Sequence, residues 1–119
     1  LAALLAEDLS PLSQDELAQL QRQVLAVHTA EPLLNYVQDL IAATRTGRWF
    51  LQGLSPRAGI ALVRAAKAQA LISGRDYVAP DDVQAVLPQT IAHRLVPLGD
   101  ARRGAVEQVR AMADSVPLP

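Results

Sequence analysis

Apolar residues recur at spacings of three and four through most of this chain, broken by short stretches rich in glycine, proline, serine and aspartate. That pattern predicts helices. Ser13-Gln14-Asp15-Glu16 carries the serine and glutamate of a capping box, and Leu17, Leu20, Val24 and Val27 follow on one face, so a helix is expected from about Gln14 to Val27. A second helix is expected from Pro32, with Leu33, Val37, Leu40, Ile41 and Thr44 on one side, ending around Thr46-Gly47. Arg48 to Gly53 reads as a connector. The third helix, Pro56 to Ser73, is alanine-rich and is stopped by Gly74, which suits the left-handed position after a helix end. Tyr77-Val78 is a short extended piece, and Pro80-Asp81-Asp82 opens a fourth helix with its acids at the favourable amide end. Pro88 is expected to end or kink that helix, with Gln89 to Leu95 resuming it for two turns. Asp100 is expected to cap a fifth helix in which Val106, Val109 and Ala113 share a face, and the tail Val116-Pro117-Leu118-Pro119 cannot be helical.

These elements make the fold class all-α, a small bundle of about five helices. Any β pairing is expected only as a short contact between the Trp49 to Leu51 segment and Tyr77-Val78. Residues 1–12 read as a separate approach segment, an apolar turn from Leu1 to Leu5 followed by Glu7, Asp8 and the break at Ser10-Pro11; the domain proper is expected over 13–119.

Composition narrows the function classes. With 119 residues, half of them hydrophobic, the chain is long enough for one core, and without cysteine it depends on neither disulfides nor thiolate metal sites, as expected of a cytoplasmic protein. Its 11 basic and 12 acidic residues leave a net charge of -1, which provides no broad footprint for nucleic acid or anionic lipid. The four aromatics, Tyr36, Trp49, Phe50 and Tyr77, form no repeated stacking platform. No apolar run reaches the roughly 18 residues of a membrane span.

Catalytic motifs are missing too. Lys67 is the only lysine and follows no glycine-rich loop, so there is no P-loop. His28 and His93 are expected on different helices with no partner ligands nearby, which argues against zinc. Asp81-Asp82 most simply complements a helix end. Arg102-Arg103 reads as a solvated face, with Arg103 reaching Glu107.

One stretch is out of place electrostatically. Gly53-Leu54-Ser55-Pro56-Arg57-Ala58 puts Arg57 in the first turn of the third helix, at an end that already carries about half a positive charge. The simplest reading is an ordinary helix start, with Ser55 as cap, Pro56 at the first position and Arg57 in solvent. The other is an anion, a phosphate above all, on which backbone N–H groups and a guanidinium converge. Arg64, seven residues on, lies about 20° away around the helix, so it can share that direction; a simple salt bridge is its preferred reading.

Taken in order, Ala43-Thr44-Arg45, Ser55-Pro56-Arg57-Ala58, Gly74-Arg75-Asp76-Tyr77-Val78, Pro80-Asp81-Asp82-Val83 and His93-Arg94-Leu95, with the ending Val-Pro-Leu-Pro, resemble the C-terminal lid domain of MoxR-type AAA+ ATPases over about residues 9–119. The resemblance implies that Arg57 is the sensor 2 arginine, reaching from the lid to the phosphates of ATP bound on another domain, with Ser55 and Arg64 as further candidates for the nucleotide cleft. It implies ATP and magnesium in a parent protein, with neither bound tightly by this chain alone, which should be inactive and form the last third of the enzyme. Partners implied are the chain's own AAA+ core, joined through residues 1–12, and neighbouring subunits, with a hexamer as the full-length form. Closure of the lid over ATP would couple hydrolysis to movement of the neighbouring subunit in a chaperone-like or complex-assembly role. Leu54 departs from the small residue more usual between that glycine and serine.

Two other classes remain open at the level of sequence. A stand-alone helical interaction module would receive a partner helix along Ala58, Ala61, Ala65 and Ala68. A helical DNA-binding domain would use Arg57, Arg64 and Lys67 on a recognition helix, against which the net charge argues.

Overall fold

A computed structural model of the chain describes residues 13–99 and 104–119. Among the described residues the chain forms five α-helices, α1 (Gln14–Leu25), α2 (Glu31–Ala43), α3 (Ala58–Ile72), α4 (Pro80–Ile91) and α5 (Ala105–Ser115), with a 3₁₀ turn (Ala92–Arg94) directly after α4. No strand forms among them. The all-α prediction is met.

The core takes in the apolar face read for the second helix and Val109 and Ala113 of the fifth, whereas the face read for the first helix, Leu17, Leu20 and Val24, has no buried residue within α1. Leu33, Val37, Leu40 and Ile41 of α2, Leu62, Ala66 and Ala70 of α3, Val83, Leu87 and Ile91 of α4, and Val109 and Met112 of α5 are all buried. α3 is the central element, packed along α4 and also against α1 and α2. Its small residues allow this closeness: a Cβ on Gly59 would stand 2.9 Å from Gln38 Nε2 of α2. The alanine stripe is therefore largely internal, with Ala58 buried, Ala65 and Ala68 half-buried and only Ala61 exposed.

Local signals explain the helix ends. The Ser13 hydroxyl accepts the Glu16 N–H at 3.1 Å and caps α1. Gly74, at φ 79°, takes the left-handed conformation after α3, as expected. Asp82, only 2% exposed, accepts the Ala79 N–H at 2.7 Å and so closes the first turn of α4. It also pairs with Arg75 Nη2, whose guanidinium lies 5.8 Å from the Tyr77 ring centroid.

Several expectations change. α4 continues through Pro88 to Ile91, because Leu87 and Ile91 sit one turn apart on the same buried face and hold the helix on both sides of the proline. Beyond Ile91 the chain makes a single 3₁₀ turn, and not two α-turns. The extended segments also choose other partners: Tyr77 bridges His28 in parallel and Phe50 bridges Pro97 in antiparallel sense. Each pairs with the chain next to it in space, the loop leaving α1 and the segment after the 3₁₀ turn. His28 is accordingly a loop residue, its N–H bonded to the Asp76 carbonyl at 2.8 Å. On α5, Val106 is exposed, and Gln108 takes the inward position beside Val109 and Met112. The Gln108 amide donates to the Trp49 and Leu98 carbonyls at 3.0 and 3.2 Å, fastening α5 to the paired loops. Gly104 stands at the cap position of α5; the readings made for Asp100 and Arg103 fall outside the described residues.

Candidate functional site

The loop from α2 to α3 carries Arg57, and three residues of the chain fix it. Thr44, fully buried at the end of α2, donates its hydroxyl to the Ile41 carbonyl and accepts the Leu54 N–H at 2.9 Å. Arg45 Nη1 donates to the Leu54 carbonyl at 2.8 Å. Both backbone groups of Leu54 are thus held by side chains from the Ala43-Thr44-Arg45 motif, while its own side chain packs against the core. Gly53 makes the approach possible, since a Cβ there would lie 2.5 Å from Arg45 Cα and 2.6 Å from the Thr44 carbonyl oxygen. The larger residue at Leu54 anchors the loop from inside.

Ser55-Pro56-Arg57 then winds directly into α3. Ala58, Gly59 and Ile60 donate their N–H groups to the carbonyls of Ser55, Pro56 and Arg57 at 3.0 to 3.1 Å, a 3₁₀-type start. The expected cap is absent: Ser55 makes no side-chain hydrogen bond among the described residues, and the regular α-helix begins at Ala58 behind a helical Arg57 (φ -62°, ψ -26°). Because those three amides are turned inward, the positive groups presented outward here are the arginine side chains and not a ring of helix N–H donors.

Those side chains line one cleft. Ser55 and Arg57 from the loop before α3, Ile60, Ala61 and Arg64 from α3, and Arg94 from the 3₁₀ turn line a space of about 410 Å³. Among the described residues no carboxylate lines it. Arg57 and Arg64 make no ion pair among the described residues, so the salt bridge preferred for Arg64 is not what the structure contains. Arg94 is likewise exposed and without a partner there. Three like charges around one space repel one another, weakly where water screens them, and an anion there would relieve that repulsion.

Ser55, Arg57 and Arg64 were legible in the sequence as one group. Arg94 was not joined to them, because it comes from a different helix and no spacing links it to Arg57. Lys67, grouped with the arginines in the DNA-binding reading, instead donates to the Leu25 carbonyl at 3.2 Å and supports the end of α1. No group of three or more histidine, cysteine or acidic side chains able to hold a metal occurs among the described residues. No helix there is long and apolar enough to cross a membrane.

A sequence model of the AAA lid domain matches residues 42–114. The chain is 34% identical over 117 residues to the uncharacterised protein YeaC of Bacillus subtilis, covering 95% of this chain and 37% of that protein. It is 37% identical to the chaperone MoxR1 of Mycobacterium tuberculosis (76% of this chain, 26% of the relative) and 42% identical to protein MoxR of Methylorubrum extorquens (56% and 21%). The chain therefore spans between a fifth and two fifths of these relatives' length. In three dimensions it is similar to part of an ATPase candidate from Cytophaga hutchinsonii, with a TM-score of 0.81 at 27% identity, over 91% of this chain and 36% of the other.

Proposed function

The chain belongs to the AAA lid domain family, as a lid of the MoxR type, and from that premise we propose that it closes over ATP bound on an AAA+ core, with Arg57 as the sensor of the phosphates. In this reading residues 13–119 are the lid and residues 1–12 lead into it from the core. The observation that carries it is the cleft at the start of α3, whose three arginines have no ion pair among the described residues. Arg57 sits where the helix end already disfavours a cation, yet its loop is fastened by Thr44, Arg45 and Gly53. A charge held this firmly in an unfavourable place suits a ligand that supplies the missing negative charge.

Coupling arises from the mechanics of the loop. When a terminal phosphate meets Arg57, the force passes through Leu54 into the end of α2 and through Ala58 into α3, two of the elements that build the core. The lid then moves as one body when the charge arrives or leaves, and in an oligomer that motion shifts the neighbouring subunit, the step a chaperone-like role requires. ATP and magnesium bind the core in this account, and hydrolysis takes place there.

The test is made in the intact ATPase. A guanidinium on a transferring phosphoryl group contributes a rate factor of about 10³ or more, so Arg57→Ala should lower kcat by about 10² and weaken ATP binding about tenfold. ADP affinity should hardly change, because the core still holds the β-phosphate. Arg57→Lys keeps the charge without the planar fork and should recover part of the turnover. Normal turnover by Arg57→Ala would return Arg57 to solvent and remove the sensor role.

A further inference from the structure

We infer that Arg94 is a second phosphate-binding residue, which grips a polyphosphate in the cleft it shares with Arg57, from a different element of the fold. The inference rests on the proposed lid reading for its biological ligand, but the contact is testable on this chain alone.

Four observations support it. Arg94 lines the same cleft as Arg57 and Arg64, and among the described residues no carboxylate lines that cleft to neutralise any of them. It reaches the cleft from a separate element, the Ala92–Arg94 turn. The turn is rigidly seated: Ala92 and Leu95 on either side of His93-Arg94 are each 6% exposed, and the Leu95 N–H closes the turn on the Ala92 carbonyl at 3.1 Å. The placement is also electrostatically inexpensive for Arg94, which stands after the carbonyl end of α4, where a cation is favoured. Arg57 is at the opposite kind of helix end and has no such compensation. Binding an anion between the two removes repulsion on one side without breaking any ion pair on the other.

The space indicates the ligand class. An open cleft of about 410 Å³ lined by three arginines admits a ligand with several negative charges, which suits a chain of phosphates better than one small monoanion. Arginine is the side chain suited to this task, because its planar fork meets phosphate oxygens two at a time. In the assembled ATPase the chain of phosphates would be that of the nucleotide; free inorganic polyphosphate has the same chemistry and serves as the probe.

The experiment is an NMR titration of the 119-residue chain with inorganic tripolyphosphate at low salt, followed through arginine side-chain N–H signals. Arg94→Ala should weaken binding about five- to tenfold, with Arg94→Lys between it and wild type. Arg48→Ala, whose guanidinium rests 4.8 Å from the centroid of the Trp49 ring and outside the cleft, should change affinity less than twofold. Wild-type affinity in Arg94→Ala, or an equal loss in Arg48→Ala, overturns the inference, the second because it shows diffuse attraction to net charge. Arg57→Ala in the same titration separates the two claims. Loss with Arg57→Ala alone keeps Arg57 and sinks Arg94, whereas loss with Arg94→Ala alone establishes the Arg94 contact and sinks the phosphate role of Arg57. A melting temperature for Arg94→Ala within about 2 °C of wild type shows that lost affinity is not lost structure.

Discussion

The two ends of α3 treat arginine in opposite ways. Past the carboxyl end, Arg75 is neutralised: Asp82, almost wholly buried, takes its Nη2, and Tyr77 lies beside the guanidinium. At the amide end, Arg57 and Arg64 share a cleft with Arg94 and none of the three has a carboxylate among the described residues. The same side chain serves the fold at one end and stays available at the other. Where a domain surrounds its arginines with a buried acid and an aromatic ring, their removal should destabilise it; where it surrounds them with each other, their removal should cost function and little stability.

The largest effect is expected at the neutralised end. Asp82→Ala removes both the Arg75 pair and the acceptor for the Ala79 N–H, leaving a half-buried guanidinium without its anion and α4 without its cap. Combining a partly screened ion pair with a lost cap gives about 3 kcal/mol, seen as a melting temperature about 10 °C lower. A change below about 2 °C would show that this pair is as dispensable as a surface salt bridge.

Gly53→Ala should come next. The new methyl group would press on the Thr44 carbonyl oxygen and Arg45 Cα, backbone atoms that cannot swing aside, so a loss of about 2 kcal/mol is expected in urea unfolding. This substitution also displaces the loop that carries Arg57, so it sharpens the comparison: it should harm turnover of the intact ATPase as well as stability. Thr44→Val keeps the shape but strands the Leu54 N–H, for about 1 to 2 kcal/mol. An unchanged urea midpoint for Thr44→Val would mean that water replaces the hydroxyl and that the clamp on Leu54 is weaker than its geometry suggests.

Arg64→Ala should have the smallest effect, within about 0.5 kcal/mol of wild type, since it removes an exposed guanidinium that has no partner among the described residues and relieves some repulsion. Destabilisation of about 1 kcal/mol or more in a melt of the variant chain would instead point to an ion pair.

The contrast explains which parts of the molecule could be read from the sequence. Helix identity was legible because burial follows the apolar spacing of α2 and because α3 is alanine-rich between clear start and stop signals, and capping followed from Ser13 and Gly74, whose effects are local. Arg57 was conspicuous because a first-turn cation violates a local rule. Pro88 did not end its helix, because local propensity at a proline lost to the burial of Leu87 and Ile91 on either side. The bridges of Tyr77 and Phe50 depend on where the helices end in space, which no short pattern encodes. Leu54 looked like a departure from the family pattern until the grip of Thr44 and Arg45 on its backbone became visible. Arg94 was invisible as a site residue for the same reason: its relation to Arg57 exists only after α4 has packed on α3.

The measurement that tests this account most directly is a pair of thermal melts on the 119-residue chain, Arg57→Ala beside Arg75→Ala. If Arg75 serves the fold and Arg57 is held free for an external anion, Arg75→Ala should melt about 8 °C below wild type, for a loss of about 2 kcal/mol, and Arg57→Ala should melt within about 2 °C of it. Equal destabilisation of the two variants would contradict the account, because Arg57 would then be a structural arginine like Arg75, with no charge left over for a phosphate.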